Sequence, residues 1–364
     1  MNRTTHDIDV AVIGGGQAAL ALGFYLRRSG LEYVILDDQA SGGGSWRRGW
    51  KSLRAFSPAQ WSSLPGWLLP HAGDNDYPSR DEVVTYLTQY ESRYALNVVR
   101  GQRVITVART QSTTHPLCVK TDSSEWNARA VISATGGAPF IPDVPGRDEF
   151  SGTQLHSQEY SGPDAYFGQR VVVVGGGNSG AQIVAELTEP RSGVASVTWA
   201  TLQPPTFLPD EIDGRYLFEQ ATARYKAQQE GRTPDPPRSL GDIVMVPPVK
   251  AARDDGRLVA VPMFSSLTPS GVKWPDGNET KEDVIIWATG YRPALSHLHG
   301  LGVINEKGRV DVQGAAETRS VAEPNLWLVG YGNWTGFASA TLIGVGRSAR
   351  ATVQEVQTTL ETRQ

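Results

Sequence analysis

Asp9-Val10-Ala11-Val12-Ile13-Gly14-Gly15-Gly16-Gln17-Ala18-Ala19 is the stretch on which the reading of this chain turns. Val10 to Ile13 are apolar without interruption, as a strand buried on both faces requires, and they open into GxGxxG with Ala in the last place. Small and apolar residues from Ala18 to Leu26 predict a helix that Ser29-Gly30 close, and Tyr33-Val34-Ile35-Leu36 predicts a second strand ending on Asp37. This is a complete βαβ unit. Gly14 permits the sharp turn, Gly16 lets the backbone approach a pyrophosphate, and Ala19 is small enough for close helix–strand packing. Free N–H groups at the helix start face the phosphates, and Asp37 is placed to accept hydrogen bonds from a ribose. A glycine-rich corner alone is also an ordinary strand-to-helix turn. With strand, helix and acid in order, the reading is a dinucleotide site.

The pattern repeats. Val171 to Val174 is a buried-strand run, Gly175-Gly176-Gly177-Asn178-Ser179-Gly180 is a full GxGxxG, and a helix through Leu187 is stopped by Pro190 before a strand from Ala195 to Ala200. Two such units in one chain predict a protein of two nucleotides. Ala200-Thr201-Leu202-Gln203-Pro204, where the second ribose belongs, offers neither an acid for a free 2′-OH nor an Arg for a 2′-phosphate. A charge-assisted hydrogen bond to phosphate contributes about 1.5–3 kcal/mol, so its absence removes about ten- to a hundredfold of preference for NADPH. Weak discrimination is expected, with NADH usable.

At 364 residues and 39% hydrophobic content the chain is long enough for two domains. A net charge of −4 provides no basic field for nucleic acid or an acidic membrane, so the expected partner is a small molecule. No apolar run approaches a membrane span and Met1 to Asp7 is polar, which places the protein in the cytoplasm as an expectation. Cys118, the single cysteine, sits in an alternating stretch and reads as a core residue. A homodimer is compatible with this composition, which does not fix the oligomeric state.

Between the two units, Gly43-Gly44-Ser45-Trp46 contains GGxW, and Trp50, Phe56, Trp61 and Trp67 follow in a Pro/Ser/Gly-rich stretch. These rings either pin an ordered loop or wall a flat pocket. Ser79-Arg80-Asp81-Glu82 has capping-box form and starts a scaffold helix carrying Val83, Leu87, Tyr90 and Tyr94. From Leu96 to Lys120 alternation predicts a small antiparallel excursion that returns through Ala130 to Ala134-Thr135-Gly136. After the second unit, polar and helix-prone Asp213 to Glu230 and Pro-rich Thr233 to Pro248 form an insertion, either a surface excursion or a lid. Val284 to Trp287 then leads into Ala288-Thr289-Gly290, an echo of the first ATG, which predicts paired crossings with the second nucleotide domain inserted into the first. Leu326 to Val329 is a buried strand entering Gly330-Tyr331-Gly332-Asn333-Trp334, and Ala338 to Leu360 reads as a helix despite Gly344 and Gly346. Starting near a bound ring, that helix would stabilise negative charge by about 0.3–1 kcal/mol.

Phe150-Ser151-Gly152, His156 and Tyr160 fit FxGxxxHxxx(Y/F), just ahead of the second glycine motif. With GGxW at Gly43 to Trp46 and ATGY at Ala288 to Tyr291, the chain resembles the flavin-containing and N-hydroxylating monooxygenases along nearly its whole length. Tyr160 stands where the Baeyer–Villiger signature has Trp. It is most similar to short bacterial members, including those associated with arsenic-resistance genes, through Tyr77-Pro78-Ser79-Arg80, Gly241 to Val246, Gly290 to Ser296 and Ala338 to Val345.

The resemblance implies an α/β fold of two Rossmann-like domains. Residues 1–149 and 287–364 would bind FAD, and 150–286, with a Pro-rich insertion around 209–250, would bind NAD(P)H. It implies that hydride reduces FAD, that O2 adds at flavin C4a, and that sulfur, nitrogen or a ketone is oxygenated. No metal is implied, and no protein nucleophile. A flavin reductase, a peroxide-forming oxidase and a non-catalytic redox sensor remain alternatives on the same scaffold. Candidate cofactor-binding residues are Gly14, Gly16, Ala19, Asp37, Gly44, Trp46, Ala134, Thr135, Gly136, Gly175, Gly177, Asn178, Ser179, Gly180, Thr201, Gln203, Ala288, Thr289, Gly290, Gly332 and Asn333. Phe56, His156 and Asn178 are the candidates nearest the chemistry. Phe56 stands where larger family members commonly carry an Asn, and His156 is expected to orient rather than transfer protons.

Overall fold

The computed structural model describes residues 4–70, 77–210, 212, 223, 232, 242–336 and 338–362. Two compact units emerge, one from Met1–Arg47, Ala59–Ala138 and Arg292–Gln364, the other from Arg48–Pro58 and Pro139–Tyr291. The chain leaves the first unit just after Ala134-Thr135-Gly136 and returns to it just after Ala288-Thr289-Gly290.

In the first unit the strand Thr4–Ile13 lies parallel between Tyr33–Asp37 and Ser124–Ser133, Val12 standing opposite Ile35 on one side and Ile132 on the other. Val98–Arg100 extends the sheet beyond Tyr33–Asp37, and Leu326–Leu328 extends it beyond Ser124–Ser133, both in parallel. The glycine corner therefore leaves the central strand where connections diverge to either side, the switch point at which ligands bind in such sheets. From Val10 to Ile13 both faces of that strand are buried. Val10 and Val12 pack under the helices Gln17–Leu26 and Leu342–Glu361, with Leu20, Val345 and Val353. Ala11 and Ile13 face the opposite way, onto Val34, Val131 and Leu298. Each fully buried large aliphatic side chain contributes about 1.5–3 kcal/mol, which is why the run needs no polar residue on either face.

Three expectations are corrected in detail. Val98–Arg100 joins the parallel sheet, so the antiparallel excursion is confined to Val104–Arg109, Leu117–Thr121 and the first half of Ser124–Ser133. Buried Cys118 sits in its middle strand, as expected. The last helix starts at Leu342, not Ala338: Ala338 adopts φ of 58°, and Thr341 caps the helix by accepting from Gly344 N–H at 3.1 Å. Val246-Pro247-Pro248 opens the helix Pro247–Asp254, where proline at the first turn lacks only an N–H that the helix leaves unpaired. The capping box at Ser79 and Glu82 forms as expected and starts the helix Arg80–Arg93. The polar stretch 213–230, apart from residue 223, and the Pro-rich run 233–241 lie outside the described residues, and with them the lid and surface readings of the insertion.

The second unit carries a five-stranded parallel sheet in the order Ala260–Pro262, Ser196–Thr201, Arg170–Val174, Val284–Trp287, Thr153–His156. Val172, Val174, Ile285, Trp287 and Phe264 form its core. Arg48–Pro58, expected within the first domain, clusters here instead. Ser52 Oγ donates to Glu186 Oε1 at 2.8 Å, the Tyr160 hydroxyl donates to Glu186 Oε2 at 3.1 Å, and Trp50 packs edge-on against Tyr160 at 5.9 Å. Among the described residues no helix is long and apolar enough to cross a membrane.

Candidate dinucleotide sites

The two glycine corners are built alike. Gly14 adopts φ of 104°, and a Cβ there would stand 2.6 Å from the Ala134 carbonyl oxygen; Gly175 adopts 131°, and its Cβ would stand 2.2 Å from the Ala288 oxygen. Hydrogen bonds fix the same frame in each. Gly14 N–H donates to Leu36 O and Ala134 N–H to Ile13 O, both at 2.8 Å; Gly175 N–H donates to Ala200 O at 2.9 Å and Ala288 N–H to Val174 O at 2.8 Å. Each ATG turn is thus the seat on which a first glycine rests.

The middle glycines differ from the first ones. Gly16 (φ −83°, ψ −171°) and Gly177 (φ −99°, ψ −174°) have extended backbones open to any residue. A Cβ at Gly177 would meet nothing within 4 Å, and one at Gly16 only Gly44 Cα at 4.0 Å. Neither backbone conformation nor packing demands glycine at these positions. A phosphate approaching the helix N–H groups would demand it, since a side chain would fill that cradle. In the last places, Ala19 is fully buried against its sheet, whereas a Cβ at Gly180 would stand 2.2 Å from Gly175 O, which also accepts from Trp199 Nε1 at 2.8 Å.

The remaining candidates fall into two groups. Gly44, Trp46, Thr135, Gly136, Gly332 and Asn333 belong to the first unit with Gly14, Gly16, Ala19 and Asp37; Ser179, Thr201, Gln203, Thr289, Gly290, Phe56 and His156 belong to the second with Gly175, Gly177, Asn178 and Gly180. Asp37 ends its strand and is already engaged by protein partners. It is 3% exposed and paired with Arg100, which also holds Glu91, and it accepts from the N–H groups of Gly15 and Gln39. Burial outweighs these partners and raises its carboxyl above the usual range; the neighbouring Asp38 is exposed. Asn178 is likewise engaged: its Nδ2 donates to Asp242 O at 3.0 Å and its Oδ1 accepts from Val244 N–H at 2.9 Å. Phe56 is half-buried, Thr201 is buried, and Leu202 and Gln203 are exposed. The Thr289 hydroxyl donates to Phe140 O.

His156 is 1% exposed. Its Nδ1 accepts from Gln158 N–H at 3.1 Å, so Nε2 carries the proton and donates to Gly290 O at 2.9 Å. Burial holds its pKa below the ordinary histidine value against that bond and Glu159. A buried ring with both nitrogens engaged ties His156 to Gly290 of the second ATG turn.

One cluster had no signal in the sequence. The Tyr331 hydroxyl lies 2.5 Å from Ser133 Oγ and 2.7 Å from Thr135 Oγ1, Ser133 Oγ lies 2.9 Å from His297 Nε2, and Thr135 Oγ1 donates to Ala294 O at 2.7 Å. One orientation satisfies every group: His297 donates to Ser133, Ser133 to Tyr331, Tyr331 to Thr135, and Thr135 to Ala294. Burial, with a smaller contribution from His299, pushes His297 down to about 4 from 6.5. Below 6.5 the unfolded chain binds a proton that the fold refuses until about 4, so stability falls as pH falls through that window, by about 3 kcal/mol in all. His297→Gln keeps a donor but does not titrate. Urea unfolding at pH 7 and pH 4 is expected to show a loss about 3 kcal/mol smaller in this variant, and equal losses would refute the assignment.

This fold, with a mixed sheet and a parallel one, each carrying a glycine corner where its parallel strands switch direction of connection, defines a protein of two dinucleotides. Residues 11–205 match the family described as Pyridine nucleotide-disulphide oxidoreductase. The chain is 48% identical to the flavin-containing monooxygenase from Stenotrophomonas maltophilia, with a TM-score of 0.86 over 97% of this chain and 99% of that one. It is 30% identical to the uncharacterized oxidoreductase CzcO of Bacillus velezensis, over 96% of this chain and 99% of that protein. It is 27% identical to the indole-3-pyruvate monooxygenase YUCCA8 of Oryza sativa subsp. japonica, over 93% of this chain and 88% of that protein. The chain belongs to the pyridine nucleotide-disulphide oxidoreductase family. Within it, this is a flavin monooxygenase that uses FAD and NAD(P)H.

Proposed function

We propose that FAD is held at the Gly14–Ala19 corner and NAD(P)H at the Gly175–Gly180 corner, in an enzyme that oxygenates a small molecule at sulfur, nitrogen or a ketone. The observation that carries this reading is the pair of middle glycines, each open where a pyrophosphate would lie. The chemistry supplied by the bound cofactors is hydride transfer from nicotinamide to flavin and electron transfer to O2, with one oxygen atom going to substrate and the other to water. The protein's own part is binding and orientation. Ala134 and Ala288 seat the two corners, the His297–Thr135 chain and His156 fix the two ATG turns, and the strand end at Asp37 and Asp38 receives the first ribose. Thr201, Leu202 and Gln203 carry no charge to choose between ribose and ribose phosphate.

The test is a balance sheet under 18O2 with sulfides, amines, ketones and trivalent arsenicals. The expected result is equal consumption of NAD(P)H and O2, with one labelled atom in the product and little hydrogen peroxide. Peroxide formed in proportion to O2 with every substrate would favour the oxidase, and no reduction by either nucleotide would favour the sensor. NADH and NADPH are expected to serve with efficiencies within about tenfold of each other.

A further inference from the structure

Three segments distant in sequence meet at the first turn of the helix Gln17–Leu26. Gln17 Oε1 accepts from Trp46 Nε1 at 3.0 Å, and Gln17 Nε2 donates to Ala340 O at 2.7 Å, spanning 29 and 323 residues. The backbones are pressed together as well. A Cβ on Gly44 would stand 2.7 Å from Gly16 Cα, and one on Gly330 would stand 2.7 Å from Ala18 Cβ. The GGxW turn and the segment entering the last helix therefore flank the first corner, and a single carboxamide is bonded to both. A carboxamide suits this place, since it accepts from an indole and donates to a carbonyl, whereas a carboxylate only accepts and an ammonium only donates.

The second corner has the same device with a shorter arm. Asn178 follows Gly177 as Gln17 follows Gly16, and its carboxamide also donates and accepts, but both bonds fall on one segment, at Asp242 and Val244. The first corner is clasped by two distant stretches of chain and the second by one.

We propose that Gln17 is a positioning residue that retains FAD, locking the Trp46 turn and the Ala340 segment against the first glycine corner so that the flavin is resident while the nicotinamide exchanges. This rests on the placement of FAD at that corner. The step is a binding one, with no bond made or broken in the cofactor.

The experiment follows FAD release from the purified holoenzyme through the recovery of free flavin fluorescence after dilution. Two neutral hydrogen bonds correspond to roughly ten- to thirtyfold, so Gln17→Leu is expected to release FAD faster by that factor. Gln17→Glu keeps the Trp46 bond and loses the Ala340 bond, and should fall between. Trp46→Phe should accelerate release, and Gln17→Leu combined with Trp46→Phe should be less than the product of the two, the mark of a shared bond. Asn178→Ala should release FAD at the wild-type rate. A wild-type release rate in Gln17→Leu, or equal acceleration by Asn178→Ala, would overturn the clasp. The unfolding midpoint of the FAD-free protein separates a purely structural role, which would lower that midpoint and leave release unchanged. Gly16→Val separates the underlying reading: if that variant stays yellow, the placement of FAD has failed rather than the clasp.

Discussion

Gly16→Val is expected to fold and to come off the column colourless. Its backbone dihedrals suit valine, and the nearest protein atom to the new Cβ is Gly44 Cα at 4.0 Å. The added side chain occupies the cradle that faces the helix N–H groups, and overpacking of this kind costs up to about 3 kcal/mol, or about a hundredfold in FAD affinity. The measurements are the flavin absorbance of the purified protein and its titration with FAD, with far-UV circular dichroism confirming the fold. Wild-type flavin content in a folded variant would refute the placement of FAD.

Gly177→Val should do the reverse. Its backbone is equally permissive and its Cβ would meet no protein atom within 4 Å, so the variant should fold and remain yellow. Anaerobic bleaching of the flavin by NADH or NADPH should slow by about a hundredfold or more at fixed nucleotide concentration, whereas dithionite should still bleach it at once. The paired result carries the assignment. Two variants with the same defect would mean that the corners do not divide the nucleotides as proposed.

Both corners were legible in the sequence because a strand-to-helix turn with a pyrophosphate cradle is a local structure, written in six consecutive residues. Much else depends on partners far along the chain. The contact of Gly14 with Ala134 and that of Gly175 with Ala288 explain why ATG appears twice, yet nothing in either tripeptide names its partner. Asp37 read correctly as the end of a strand, but its pairing with Arg100 was not legible, because Arg100 comes from the strand beyond it. The aromatic segment read as one loop divides at Arg48, since Trp50 and Ser52 find their partners at Tyr160 and Glu186. The last helix started four residues later than its composition implied because Ala338 turns left-handed and Thr341 supplies the cap. His297 is the extreme case: one of two histidines in an ordinary segment, singled out only when Ser133 arrives beside it.

The topology of the first sheet also dictates a schedule. Its central strand, Thr4–Ile13, is made more than a hundred residues ahead of its neighbour Ser124–Ser133, and still further ahead of Leu326–Leu328 and the Ala340 carbonyl. Most of the second unit, Pro139–Tyr291, emerges in one stretch between those events. The nascent protein therefore completes most of its later nucleotide fold while the earlier one stands unfinished, still without the strand Leu326–Leu328 and the helix Leu342–Glu361 that covers Val10 and Val12. On the proposed placement of FAD, its site is complete only once the Ala340 segment has been made, so the earliest strand of that unit waits on one of its latest segments.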